Sequence, residues 1–170
     1  MIDNDQKEKN AYIEYIAVNR VNELVSMSTV YIGIKRTRIE DMIDALSYIR
    51  DKSKEWYAIL SKRNINNYEK EFREVDFPRV NLHVRIFNET YEFWNNRHYI
   101  DKASFIKDED YIIRINISGS YAINQDIPLT LFVENSIVLG ETEINQLILL
   151  LKEAGKLCEG YDDIDSLLKE

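Results

Sequence analysis

Glycine and proline are scarce in this chain of 170 residues, which carries five of the first and two of the second. Few tight turns are therefore expected. Gly33, Gly119, Gly140, Gly155 and Gly160 stand singly. Phosphate-cradling loops and dinucleotide fingerprints both need closely spaced glycines, so nucleotide binding of those two kinds is excluded. Cysteine is rarer still. The lone Cys158 forms no internal disulfide and falls at an apolar helix position, where it reads as a small buried hydrophobe in a reducing compartment.

Histidine is limited to His83 and His98. No H-x-x-x-H or C-x-x-C spacing accompanies them, and a zinc site takes three or four protein ligands, so neither a metal nor a cofactor is expected. The signatures of nucleophilic catalysis are missing as well: there is no G-x-S-x-G elbow, and the serines have no recognisable base partner. The runs Asp108-Glu109-Asp110 and Asp162-Asp163-Ile164-Asp165 do not fit a calcium loop, which needs ligands at alternate positions around a glycine turn. The first reads as a solvated turn. The second reads as the start of a last short helix, where carboxylates favour the positive end of the dipole.

Long hydrophobic runs are missing too. No stretch approaches the roughly 18 consecutive apolar residues of a membrane span, and the N-terminal MIDNDQKEKN lacks the apolar core of a secretion signal. A cytoplasmic protein without membrane contact is expected. Abundant Ile, Asn, Lys and Tyr with little Ala or Gly goes with AT-rich genomes, which suggests a bacterial cytosol or a phage-infected cell.

Charge is present, and it is unevenly placed. Residues 1–100 hold sixteen Lys and Arg against sixteen Asp and Glu, whereas residues 101–170 hold six against fourteen, so the whole net charge of −8 belongs to the C-terminal part. Such an asymmetry bears on association rather than on fold: it attracts cationic partners and repels nucleic acid and anionic membranes.

The apolar pattern divides the chain into elements. Ile13, Ile16, Ala17, Val21, Leu24 and Val25 recur at spacings of three and four and predict a helix over 7–27. The β-branched run Thr29–Lys35 predicts a strand. Thr37 and Glu40 form a T-x-x-E capping box, and Ile39, Met42, Ile43, Leu46, Ile49, Trp56, Tyr57 and Leu60 mark a long helix to Ser61, ended by Asn64–Asn67. Alternation from Val80 to Ile86 predicts a strand that turns at Asn88-Glu89 into Thr90–Trp94. Further strands are expected at Tyr111–Ser118, Leu129–Glu134 and Ser136–Leu139. A helix follows Gly140 with the stripe Ile144, Leu147, Ile148, Leu151 and Leu157, and a short one carries Ile164, Leu167 and Leu168. Residues 1–10 read as a polar tail. Residues 11–170 read as a single α+β domain, with N-terminal amphipathic helices and a mainly antiparallel sheet packed against C-terminal helices.

Three functional readings follow, in this order. The first is a non-enzymatic inhibitor, monomer or homodimer, that occupies a basic surface of a target protein: a toxin held by an immunity-type protein, or a nucleic-acid-handling defence enzyme blocked by a phage or mobile-element product. Its binding face would be Asp108, Glu109, Asp110, Glu141, Glu143, Glu159, Asp162, Asp163 and Asp165. The second is a nucleic-acid- or ligand-binding module on strands 79–99, where Arg79, Arg85, Trp94 and Arg97 interleave with other aromatics; the sequence pI of 4.9 argues against it. The third is an enzyme whose site is dispersed and free of motifs.

Overall fold

The first described residues form a hairpin, not a helix. The computed structural model describes residues 10–21, 24–86, 89–93, 100–123 and 130–167. In it β1 (Asn10–Val21) pairs antiparallel with β2 (Leu24–Lys35), from Asn10↔Lys35 to Val21↔Leu24. This overturns the helix expected over 7–27. The spacing of its apolar residues imitates a helical period, but Tyr12, Ile13, Tyr15, Ile16, Val18 and Val21 are aromatic or β-branched. Such side chains lose rotamer freedom in a helix and suit a pleated surface. Gly33 sits opposite Tyr12, and a Cβ there would stand 3.0 Å from Cε1 of that ring. The absent side chain lets the tyrosine lie across the strand pair.

The capping box does not form. A 3₁₀ turn at Arg36–Arg38 carries the chain past Thr37, and α1 (Ile39–Lys62) takes Arg38 as its N-cap with no side-chain cap bond. Glu40 is thereby one position too early to reach back as the box requires. Glu40 and Asp41 instead supply negative charge to the first turn, and Asp41 is paired with Arg38 at 2.9 Å. The expected apolar stripe is otherwise in place: Ile39, Met42, Leu46, Ile49 and Leu60 are buried, with Ile43, Trp56 and Tyr57 packed beside them. Ser53, also buried, donates its hydroxyl to the Ile49 carbonyl at 2.7 Å, which is how a polar side chain is tolerated there. The helix ends in a Schellman arrangement. Asn64 adopts φ 52°, its N–H bonds the Ser61 carbonyl and the Ile65 N–H bonds the Leu60 carbonyl.

The remaining strands are β3 (Tyr68–Glu71), β4 (Asn81–Ile86), β5 (Glu89–Phe93), β6 (Ile100–Lys107), β7 (Tyr111–Ile123) and β8 (Thr130–Leu139). Among the described residues every pairing is antiparallel. Strands β7, β5, β4, β2, β1 and β8 close into a ring, because β8 pairs with both β1 and β7. The first half of β7 carries a branch, β6 and then β3, on the side that its last residues give to β5. The two short strands expected at 129–134 and 136–139 are one, β8.

After Gly140 a single helix, α2, runs Glu141–Leu167. The separate last helix is therefore not formed, and Asp162, Asp163 and Asp165 lie in the final turns of α2 rather than at a helix start. Neither Gly155 nor Gly160 breaks it, since a mid-helix glycine costs only about 1 kcal/mol. Ile144, Ile148 and Leu151 are buried and Leu147 is partly so, but Leu157 is 67% exposed and drops out of the expected stripe. Leu149 and Leu150 also face outward. Ile39 lies near Gly155, Arg50 near Asn145 and Lys54 near Glu141. As one number rises the other falls by a like amount, so α1 and α2 run antiparallel. The stripe of α2 thus meets α1 first and touches β1 and β8 besides.

α1 lies over one face of β6 and β7. Ala103 and Phe105 of β6 and Tyr111, Ile113, Ile115 and Ile117 of β7 are buried in the core. The domain is of the α+β class that was expected, with one N-terminal and one C-terminal helix. Among the described residues no helix is long and apolar enough to cross a membrane.

Candidate functional site

The expected acidic residues fall at two ends of α2. Asp108, Glu109 and Asp110 are exposed at the tip joining β6 to β7, and Glu141 and Glu143 are exposed in the first turn of α2. Tyr111 links the two groups. Its N–H donates to Asp110 Oδ1 at 2.8 Å and its hydroxyl donates to Glu141 Oε2 at 3.2 Å. The positions of Glu159, Asp162, Asp163 and Asp165 lie roughly 27 to 36 Å further along the helix, at 1.5 Å per residue. Five of the nine acids therefore form a pole, and four belong to the other end.

The pole is braced from below. Lys107 is only 4% exposed, and its ammonium donates to Asn66 Oδ1 at 2.8 Å and to the Asp108 carbonyl at 3.2 Å. It also lies 5.2 Å from the Tyr57 ring centroid. The amine ties the loop after α1 to the hairpin tip while its stem packs in the core. Lys54 reaches Glu141 Oε1 at 2.7 Å. The Glu143 carboxylate folds back over Gly140, where a Cβ would meet it at 2.7 Å. Gly140 accepts the first helical bond from the Ile144 N–H, so Glu143 bends toward the cap as a third-position glutamate does. Among the described residues, Asp108, Glu109, Asp110 and Glu143 have no ion-pair partner.

Two titrations are displaced here. Burial, followed by the neighbouring Glu141 charge, pushes the Tyr111 hydroxyl well above its ordinary range, so it stays a donor. The Lys54 hydrogen bond holds the Glu141 carboxyl below the usual glutamate range, with Tyr111 adding to it. A carboxyl depressed by folding contributes stability above its unfolded value and loses that contribution as pH falls through its folded value. Glu141→Gln should therefore lower stability at neutral pH and match the parent in acid, and urea unfolding across a pH series checks this. The effect is small, because the side chain is 49% exposed and screened by solvent. Curves that stay parallel down to strong acid would refute the assignment.

The basic-aromatic segment is less coherent. Arg79 and Arg85 are exposed, but Trp94 and Arg97 lie outside the described residues, as does His98. The register sets His83 opposite Glu92 and Arg85 opposite Thr90, while Tyr91 is opposite Val84. Basic and aromatic positions thus alternate between rows of the pleat instead of sharing one. Cys158 is a free thiol, half-buried on α2 rather than fully enclosed. Among the described residues no group of three or more His, Cys, Asp or Glu is placed to hold a metal ion.

One feature escaped the sequence reading. Between α1 and the stretch 69–78 runs a groove in two lobes, of about 620 and 470 Å³, which share Tyr48 and Glu74. Tyr48, Lys52 and Trp56 line it at spacings of four, one face of α1. Trp56 stacks on Phe72 with centroids 4.8 Å apart, and the Lys70 ammonium sits 4.2 Å above the Trp56 ring. Tyr48 donates to Glu74 at 3.2 Å, and burial with that carboxylate raises its pKa. The only early signal was Trp56 itself, assigned to the core. No protein-family model, curated protein or solved structure matches this chain.

Proposed function

We propose that this protein is a non-enzymatic binder that occupies a basic surface of another protein through the acidic pole formed by Asp108, Glu109, Asp110, Glu141 and Glu143. The observation that carries this reading is the juxtaposition of the hairpin tip with the first turn of α2 through Tyr111. Carboxylates held together on rigid elements project one sign of charge outward, and among the described residues Glu141 alone of the five is in an ion pair, with Lys54. Such a field accelerates encounter with a cationic surface and is screened over about 8 Å at physiological salt. An immunity-type protein against a basic toxin and an inhibitor of a nucleic-acid-handling enzyme are the two settings that suit this chemistry.

The test is association kinetics with a basic partner isolated from the native host, from about 50 to 500 mM salt. Replacing Asp108, Glu109 and Asp110 by Lys should slow association by about tenfold or more at low salt and leave the fold intact. Added salt should slow the parent and barely alter the variant. Rates that are flat in salt and indifferent to the reversals would reduce the pole to a solubility surface.

A further inference from the structure

We infer that the outward face of α2 is a docking strip for a cationic amphipathic helix of the partner protein, laid alongside α2 and anchored at one end by the acidic pole. This rests on the reading of the chain as a binder of basic proteins and adds to it the form of the segment that is bound. The strip is written in the helix period. Glu143, Gln146, Leu150, Glu153 and Leu157 are all exposed and follow one another at spacings of three, four, three and four, which keeps them in one line along a helix. From Glu143 to Leu157 that line is about 21 Å long at 1.5 Å per residue. It runs on the side away from Ile144, Ile148 and Leu151, which are buried in the core.

Two observations mark it as a contact surface. The first is its apolar content. Leu150 and Leu157 are 62% and 67% exposed, and Leu149 beside them is 60% exposed. Exposed leucines scattered singly are ordinary, whereas three so close together on one helix form a patch of the kind that another chain covers. The second is its place. Glu143 is one of the five carboxylates of the pole, so the strip begins inside the pole and the two make one continuous surface. α1 packs on the other side of α2 and starts at Ile39, which lies against Gly155. Leu157 is therefore beyond its start.

Charge and period together select the occupant. α2 carries seven carboxylates against two lysines, and Glu143 and Glu153 alternate with the leucines in the line itself. Lys152 and Lys156 each precede a member of the line by one position, so they stand about 100° round the helix from it, on the side of Leu149. A partner helix with apolar residues at the same spacing sets them against Leu150 and Leu157, and Lys or Arg between them meets Glu143 and Glu153. A second copy of this chain would bring like charges together instead. A nucleic acid or an anionic membrane would be repelled.

The experiment titrates the full-length protein with a fluorescent helical peptide of about five turns, Leu at spacings of three and four and Lys elsewhere. Saturable binding that weakens with salt is expected. A peptide of the same composition with its leucines spread round the helix should bind about tenfold or more weakly, and the matching Leu-Glu peptide not at all. Leu150→Ser combined with Leu157→Ser should weaken binding by about tenfold or more, while Ile59→Ser, at a 44% exposed position on α1, stays within about threefold. The comparison of peptides holds even where the double variant does not fold. Equal affinity for the two Leu-Lys peptides, or indifference to the double variant, overturns the strip. So does self-association in sedimentation that the double variant abolishes, since a second copy would then be the occupant. With the basic partner from the native host, the serines should speed dissociation and leave association unchanged, whereas the Asp108–Asp110 reversals slow association. If the reversals alone act, only the strip falls; if neither set acts, the binder reading falls with it.

Discussion

Phe105→Ala should cost about 3 to 5 kcal/mol of stability, the range for removing a fully buried aromatic ring. Phe105 is entirely excluded from solvent, meets Trp56 edge-on at 5.8 Å and stacks near Tyr111 at 5.7 Å. The ring joins three parts at once: the branch of the sheet, the groove face of α1, and the tyrosine that holds the acidic pole. Its loss leaves a void that neighbours anchored in a sheet and a helix fill poorly. For a domain of this length the midpoint of thermal unfolding should fall by roughly 6 to 20 °C. Denaturant and thermal scans settle the matter, and a loss below about 1 kcal/mol would mean that the centre of the core lies elsewhere.

Ile144→Ala should cost about 2 to 5 kcal/mol, because Ile144 is fully buried where α2 starts against α1. Leu157→Ala, on the same helix but 67% exposed, should change stability by no more than about half a kcal/mol. The pair tests the orientation of α2 directly. Similar losses at both positions would show the helix rotated from the position described.

These two residues also mark how far the sequence could be read. The stripe containing Ile144 was legible because a helix packed on one side repeats every three to four residues, and Ile144, Ile148 and Leu151 obey that period. Leu157 does not obey it: thirteen residues after Ile144, about 3.6 turns, it falls on the other side of the helix and is exposed accordingly. The N-terminal hairpin was misread. Its apolar residues fall at spacings of three and four by chance, and Asn22-Glu23 is not among the dipeptides that announce a tight hairpin. β6 was missed because a register shift between Ile100 and Lys102 breaks the alternation, and because an inward position is filled by Lys107. β3 has no inward apolar residue within its bounds at all. The candidate surfaces were legible only in part. The carboxylates of the pole could be named, but their meeting depends on a tyrosine hydroxyl reaching across from β7 to α2. The groove depends on Trp56 and Phe72 meeting across distant segments, which no local pattern records.

The seam that closes the ring of strands bears on how the chain is made. Arg20 pairs with Glu134 and Val21 with Val133, so the contact joins positions about 110 residues apart. At a synthesis rate of about 5 to 20 residues per second, the ribosome delivers β8 roughly 6 to 22 s after β1. The β1–β2 hairpin, whose pairing is local, forms long before its second neighbour exists. Throughout that interval one edge of a Tyr- and Ile-rich strand stands open on the nascent chain. Closure of the ring is thus the late event in biogenesis, and until β8 emerges the open edge of β1 is where mispairing with another chain would start.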